Sequence, residues 1–162
     1  MQNAKDTFYI TLRDGLASAN PGRTMNLRSV TRPGILVEEA ESPVPVVPLD
    51  VFVLRWTSVE VESHLALPLV QMICEIHYST AGTQALGGLD RGRALGEMDA
   101  ELLQMLAPAS AQKMNYSTQP ATAMQTSIFW DQPEFGPMTP LRDQVSRVVS
   151  VAVWSWQEAG EK

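Results

Sequence analysis

The sequence predicts an α+β fold with a mostly antiparallel sheet, a long β-hairpin in mid-chain and two amphipathic helices packed on one face. Three observations support this fold class. Apolar residues recur at helical spacing in two separate stretches, alternating β patterns lie between and after them, and the order is helix, strands, helix, strand. A chain of 162 residues has the length of one domain. We therefore expect a single domain over residues 1–162.

Both predicted helices show an apolar stripe with polar residues on the other side. The first stripe has a spacing of four residues and consists of Phe8, Leu12 and Leu16. The second consists of Leu95, Met98, Leu102, Met105 and Leu106. The sequence Asn20-Pro21-Gly22 ends the first helix, and Pro108 ends the second.

The longest β pattern lies between these helices. Residues 51–62 alternate in character after an apolar start, and residues 69–79 form the returning strand of an antiparallel hairpin. Residues 80–93 are rich in glycine, and residues 107–127 have little charge and no clear period. We expect both segments to be long loops, and the second to be mobile or ordered by a partner.

The last strand of the sequence has two different faces. Residues 144–156 place Val145, Val149, Val151 and Val153 on one side and two large rings, Trp154 and Trp156, on the other. We expect the valine side to lie in the core, with one of the two tryptophans buried as well. The remaining ring would be available to a partner, because aromatic residues are enriched at protein contacts.

The composition and motifs argue against several function classes. A net charge of −6 with only 12 basic residues disfavours nucleic-acid binding. Cys74 lies opposite Glu75 and His77 on a strand, which makes a shared metal ion awkward even if His64 approaches from across the hairpin. No serine-nucleophile motif or phosphate-binding glycine motif is present. We expect no enzymatic activity, no cofactor and no metal.

The first residues of the sequence show no targeting signal. Residues 1–6 lack the basic and apolar regions of a signal peptide, and no apolar run approaches membrane-spanning length. We expect the protein to be made and kept inside a cell, without membrane contact.

Two phrases and the order of segments suggest a family. The phrases are Phe52-Val53-Leu54-Arg55-Trp56 and the ending Val151-Ala152-Val153-Trp154-Ser155-Trp156-Gln157-Glu158. With an N-terminal helix, a long mid-chain hairpin, a second helix and a valine-rich closing strand, the chain resembles the tail terminator or tail completion (head–tail neck) proteins of tailed bacteriophages and prophage particles.

The resemblance implies a hexameric ring in the virion, assembled in the host cytoplasm. Such a ring sits at the head-proximal end of the tail tube, stops tube growth and provides the docking surface for the head connector. The implied partners are further copies of the chain, the tail tube protein and the head–tail connector protein. The alternatives are another phage neck or tail assembly protein, a small-molecule-binding α+β domain, and an enzyme whose active site forms between subunits.

Six residues are our candidates for the contacts of such an assembly. They combine the exposed rings, the low-charge segment and the acidic end of the chain: Trp130, Trp154, Trp156, Glu158, Met114 and Tyr116.

Overall fold

The computed structural model describes residues 1–39, 48–63, 66–83 and 86–161. Its helices are α1 (Gln2–Ala19) and α2 (Arg91–Met105). Its strands are β1 (Thr24–Leu27), β2 (Val30–Pro33), β3 (Ile35–Val37), β4 (Phe52–Glu62), β5 (Leu69–Thr80), β6 (Ser110–Asn115), β7 (Thr122–Trp130), β8 (Glu134–Phe135), β9 (Thr139–Leu141) and β10 (Gln144–Trp156).

An eight-stranded sheet forms the centre of the molecule. Its order is β3-β4-β5-β10-β7-β6, and β8 and β9 add to β10. All pairs are antiparallel except β3 with β4. Strands β1 and β2 form a separate two-stranded hairpin. With two helices beside this sheet, the predicted α+β class is confirmed.

The long hairpin predicted in mid-chain is the pair β4 and β5. Leu54 lies opposite Ile76 and Trp56 opposite Cys74, and the register shifts by a bulge between Trp56 and Ser58. The connection contains residues 64–65, so the position of His64 relative to the strand lies outside the described residues.

Both helices pack on one side of the sheet, which we call the inner face. Phe8, Leu12 and Leu16 of α1 are fully buried in the same cluster as the four buried apolar residues of α2, Leu95, Met98, Leu102 and Met105. Phe8 makes edge-on ring contacts with Trp56 and Trp130, at centroid distances of 5.8 and 5.4 Å. Each such side chain stabilises the fold by about 1.5–3 kcal/mol when fully buried. We call the opposite side of the sheet the outer face.

The predicted loop at 107–127 is wrong, because most of this segment forms the hairpin of β6 and β7. Two features hide these strands in the sequence. A bulge between Gln112 and Met114 breaks the two-residue period of β6. The first part of β7, up to Ile128, consists mostly of small or polar residues and therefore shows no clear apolar face. The glycine-rich loop predicted at 80–93 is shorter than expected, because α2 already begins at Arg91.

Candidate assembly surface

Strand β10 separates the core from the surface along its whole length. On the inner face Val145, Val149, Val151 and Val153 are buried, as predicted. Trp154 and Trp156 are both half-buried on the outer face. The expectation that one of these rings lies in the core is therefore wrong. Since β10 lies between β5 and β7 with regular pairing, residues two positions apart must share a face.

Trp154 has an aromatic partner that the sequence analysis missed. Phe129 on the neighbouring strand β7 lies opposite Trp154, and the two rings stack with centroids 5.8 Å apart and planes inclined by 7°. Phe129 keeps 37% of its surface exposed. Alternation along the strand places Phe129 and Trp130 on opposite faces, but the sequence alone did not show which of the two is buried.

Apolar side chains continue the stack across three strands of the outer face. We call this set the aromatic patch: Leu69, Ile73, Phe129, Ala152, Trp154 and Trp156, with Leu69 opposite Trp156 and Ile73 opposite Ala152. An open depression of about 410 Å³ lies at one end, between Trp156 and the exposed Leu67. Both helices lie on the inner face, so no helix of the described chain covers the patch.

The chain after β10 is held by a buried lysine. The ammonium group of Lys113 donates to the backbone oxygen of Trp156 at 2.5 Å and to Oε2 of Glu161 at 2.7 Å. The side chains of both Lys113 and Glu161 are 0% exposed. Residues 157–161 therefore turn toward the start of α1, where the amino group of Met1 contacts Glu161 at 3.2 Å, and away from the aromatic patch.

Glu158 belongs to the same arrangement. Its carboxylate accepts hydrogen bonds from the backbone N–H and the hydroxyl of Thr126, each at 2.7 Å, and from the N–H of Gln125 at 3.1 Å. These N–H groups lie on β7 beyond its pairing with β10, so Glu158 replaces a strand partner. This carboxylate is therefore engaged within the chain, and the assignment of Glu158 as a contact residue stays a prediction.

The electrostatics favour the charged forms of both glutamates. Burial tends to raise the pKa of Glu161, but hydrogen bonds from Lys113 and the backbone of Glu158, together with nearby positive charge, lower it overall. Burial also tends to raise the pKa of Glu158, but the hydrogen bonds from Thr126 and Gln125 outweigh this effect, so the pKa is lowered. The buried lysine is thus matched by ionised partners.

The other predicted contact residues lie away from the aromatic patch. Trp130 is only 4% exposed on the inner face, and its indole N–H donates to the backbone oxygen of Leu106 at 3.0 Å. It is a core residue, and its assignment as a contact residue is wrong. The sequence around Trp130 did not show which face of its strand is buried, because the orientation of that strand depends on its pairing with β10.

Met114 and Tyr116 lie on the α1 side of the molecule. The N–H of Met114 donates to the hydroxyl of Thr7 on α1 at 3.0 Å. Tyr116 is half-buried between two clefts of about 210 and 630 Å³, and burial raises the pKa of its hydroxyl. The structure brings these two residues near each other but not near Trp154 and Trp156.

Cys74, Glu75 and His77, where the sequence came closest to a metal site, do not share a face of strand β5. Cys74 is buried on the inner face, which raises the pKa of its thiol far above the usual range. Glu75 and His77 lie on the other face, where Nε2 of His77 is 3.0 Å from Oε2 of Glu75. Glu38 pairs with Arg55 beside them, and this hydrogen bond lowers the pKa of Glu38. Across the described ranges, no group of three or more His, Cys, Asp or Glu side chains could hold a metal ion.

Neither of the helices that the structure describes has the length and apolar character needed to cross a membrane. Comparison with protein-family models gave no match, and a search of curated proteins gave none either. The candidate function therefore depends on the aromatic patch and the fold around it.

Proposed function

We propose that this protein is a structural virion subunit of the tail terminator type. Copies of it would form a ring, a hexamer by the resemblance, at the head-proximal end of a phage tail tube. The ring stops tube growth and gives the head connector a surface to dock on. The observation that supports this proposal most is the aromatic patch.

The patch has the character of an interface rather than of an ordinary surface. Antiparallel sheets that face water on one side usually carry polar residues there. Here one end of the outer face carries a stacked Phe129–Trp154 pair with Trp156 and Leu69 beside it. Aromatic rings of this kind supply large contact area with little loss of side-chain entropy, and contiguous exposed apolar patches often mark protein contacts.

A closed ring also needs a second, different surface on each subunit, because its contacts run head to tail. The α1 side around Met114 and Tyr116 is a candidate for that surface. It lies on the other layer of the molecule and offers two clefts, one of which has a mainly apolar lining with Tyr9, Trp56 and Tyr116. In the proposed assembly this surface and the patch would serve neighbouring subunits or the tail tube.

The assembled protein would reside at the neck of the virion. Its partners would be its own copies, the tail tube protein and the head–tail connector protein. The proposal involves no direct recognition of nucleic acid and no membrane.

The mass of the particle in solution tests the assembly step. Size-exclusion chromatography with light scattering should show an oligomer for the wild type, and Trp154→Ser and Trp156→Ser should shift at least one variant to the monomer while circular dichroism shows a folded chain. Leu103→Ser is the matched control, since Leu103 is an exposed apolar residue on α2, away from the patch. A monomeric wild type, or two variants that assemble like the control, would contradict the proposal.

Tube length tests the terminator step. Tail tube protein from the same phage should form tubes of unrestricted length alone and shorter, capped tubes when this protein is added, as seen by electron microscopy. Trp154→Ser should lose the capping effect if the ring is required. An oligomer that binds the head connector but leaves tube length unchanged would favour the alternative of another neck protein.

The small-molecule alternative has less support. The apolar cleft beside Tyr9 and Trp56 has a volume of about 210 Å³, and the larger cleft of about 630 Å³ beside Tyr116 is lined mostly by polar residues. Pockets for drug-sized ligands usually occupy about 300–1,000 Å³. In addition, the ammonium group of Lys5, which lines this cleft, lies 5.5 Å from the ring centroid of Trp56 and pairs with Glu39 at 3.1 Å, so its charge is already matched within the chain.

A further inference from the structure

Two acidic side chains lie beside the aromatic patch. Glu60 of β4 and Trp154 of β10 pair with the same residue of β5 from opposite sides, so their side chains share the outer face and their backbones are about 10 Å apart. Glu62 and Trp156 are related in the same way. Both glutamates are exposed, and we call them the acidic rim. A surface that fits this end of the sheet therefore combines an apolar projection with basic side chains.

A projecting leucine elsewhere in the molecule supplies the apolar part. Leu89 is 93% exposed, in the turn just before α2. Its N–H donates to the backbone oxygen of Leu86 at 3.1 Å, and the N–H of Arg91 donates to the oxygen of Gly88 at 3.2 Å. Gly88 has a φ of +78°, a left-handed conformation that glycine adopts without strain. The leucine is thus presented by a hydrogen-bonded turn, which reduces the entropy that binding costs.

Basic side chains lie near this leucine. Arg93, on the first turn of α2, is exposed. Nη1 of Arg91 donates to the backbone oxygen of Arg142 at 3.4 Å, so the turn before β10 adjoins the same region, and Arg142 is exposed as well. Within residues 89–93 and 141–143 three arginines face two acids, so positive charge is in excess. We call this region the basic corner, with three exposed residues that carry its character: Leu89, Arg93 and Arg142.

The basic corner and the aromatic patch lie at opposite ends of β10. The corner adjoins Gln144, where the strand begins, and the patch includes Trp154 near its end. Ten residues of extended strand separate these two positions by roughly 33 Å. A contact between the two surfaces in different copies is therefore head to tail, the kind that closes into a ring. A symmetric contact between two patches would bring four glutamates together, and like charges in one contact cost free energy.

We propose that the basic corner of one copy docks on the aromatic patch of the next. Leu89 covers the exposed rings, and Arg93 and Arg142 lie beside the acidic rim. The leucine contributes buried apolar area, and the opposite charges fix the orientation. This inference rests on the assembly in the proposed function and names the partner of its main surface. It leaves the α1 side of the molecule to the tail tube.

Cross-linking tests the contact directly. In the variant Arg93→Cys with Glu62→Cys, a short bismaleimide linker should join neighbouring copies and give a ladder of covalent oligomers on a denaturing gel. Each single variant alone should remain unlinked, because a head-to-tail contact does not bring equal positions together. The native Cys74 is buried and should not react. Arg93→Cys with Asp14→Cys, at an exposed acid of α1, is the matched control and should give no ladder.

Light scattering over a range of protein concentrations measures the apolar part of the contact. Leu89→Ser should raise the concentration at which half of the oligomer dissociates by about tenfold to 150-fold, as the burial of one leucine implies. Leu103→Ser changes another exposed leucine and should leave this concentration unchanged. Because Leu89 is almost fully exposed within one copy, its substitution should not alter the free energy of unfolding of the monomer.

Charge reversal measures the electrostatic part. Glu60→Arg with Glu62→Arg should raise the same concentration by about twofold to thirtyfold, the range expected for two exposed ion pairs. Adding Arg93→Glu and Arg142→Glu to that variant should restore assembly. A second reversal that restores nothing would overturn the docking of the corner on the patch.

The remaining outcomes separate this contact from the assembly itself. A wild type that stays monomeric at all concentrations overturns both this inference and the proposed function. A wild-type oligomer that is lost in Trp154→Ser but unchanged in Leu89→Ser, with no linking between positions 93 and 62, overturns only the docking of the corner. The patch would then bind a different surface, and the proposed assembly would stand.

Discussion

The two faces of β10 differ at the C-terminal end of the strand, where the inner face is buried and the outer face is partly exposed. On the inner face, the ammonium group of Lys113 is surrounded by acceptors and its charge is matched by Glu161. On the outer face, Trp154 and Trp156 remain half-exposed, with Phe129 as the aromatic partner of Trp154. A buried charge is compensated on one face, whereas on the other face no helix of the described residues covers the apolar surface. We infer that the inner face determines the stability of the fold and the outer face determines its contacts.

The strongest test of the inner face is Lys113→Ala. Removing the lysine leaves the buried carboxylate of Glu161 without its main partner, and breaking a buried pair in this way costs about 3–5 kcal/mol. We expect a loss of this size in the free energy of unfolding, measured by urea denaturation. Arg13→Ala breaks an exposed pair with Asp14 and should change stability by less than about 0.5 kcal/mol. Equal effects of the two substitutions would contradict the role given to Lys113.

A pair of valines on the same strand gives the next comparison. Val151→Ala removes two methyl groups from a fully packed site, which should cost about 2 kcal/mol from lost burial at roughly 0.8 kcal/mol per carbon and the remaining cavity. Val148→Ala removes the same groups from a side chain that is partly exposed on the outer face. Its cost in urea denaturation should be less than half as large. A reversed order would mean that the outer face is buried in solution.

The sequence predicted the faces of β10 correctly because a central strand keeps a regular two-residue period over its whole length. It failed at Lys113, which lies in a bulge of β6, where the period is broken and the neighbours are small or polar. Yet Lys113 is the only charged residue in the segment 109–127, and that isolation was a usable signal. The roles of Glu158 and Trp130 could not be predicted, because each depends on a contact with a distant part of the chain.

Glu158 and Glu161, in the segment after β10, predict a pH dependence of stability. Both have a lowered pKa in the folded protein, so their contribution is present above the unfolded pKa of about 4.3 and is lost as the pH falls through the lower folded values. We expect the urea midpoint of the wild type to decrease below about pH 4.3. The variant Glu158→Gln with Glu161→Gln should be less stable at pH 7 and less sensitive to acid. If the variant were as sensitive to acid as the wild type, groups other than these two glutamates would cause the pH dependence.

The last comparison concerns the outer face, where Trp154→Ser removes a half-buried ring. The lost stack with Phe129 is worth about 0.5–1.5 kcal/mol, and the loss of the area that the ring buries adds to this cost. The same substitution should abolish or strongly weaken assembly if the patch is the contact surface. Urea denaturation and light scattering on one sample therefore separate the two faces: Lys113→Ala should lower stability most, and Trp154→Ser should lower assembly most. If Trp154→Ser destabilised the chain as much as Lys113→Ala does, the outer face would belong to the core and the proposed division between the faces would fail.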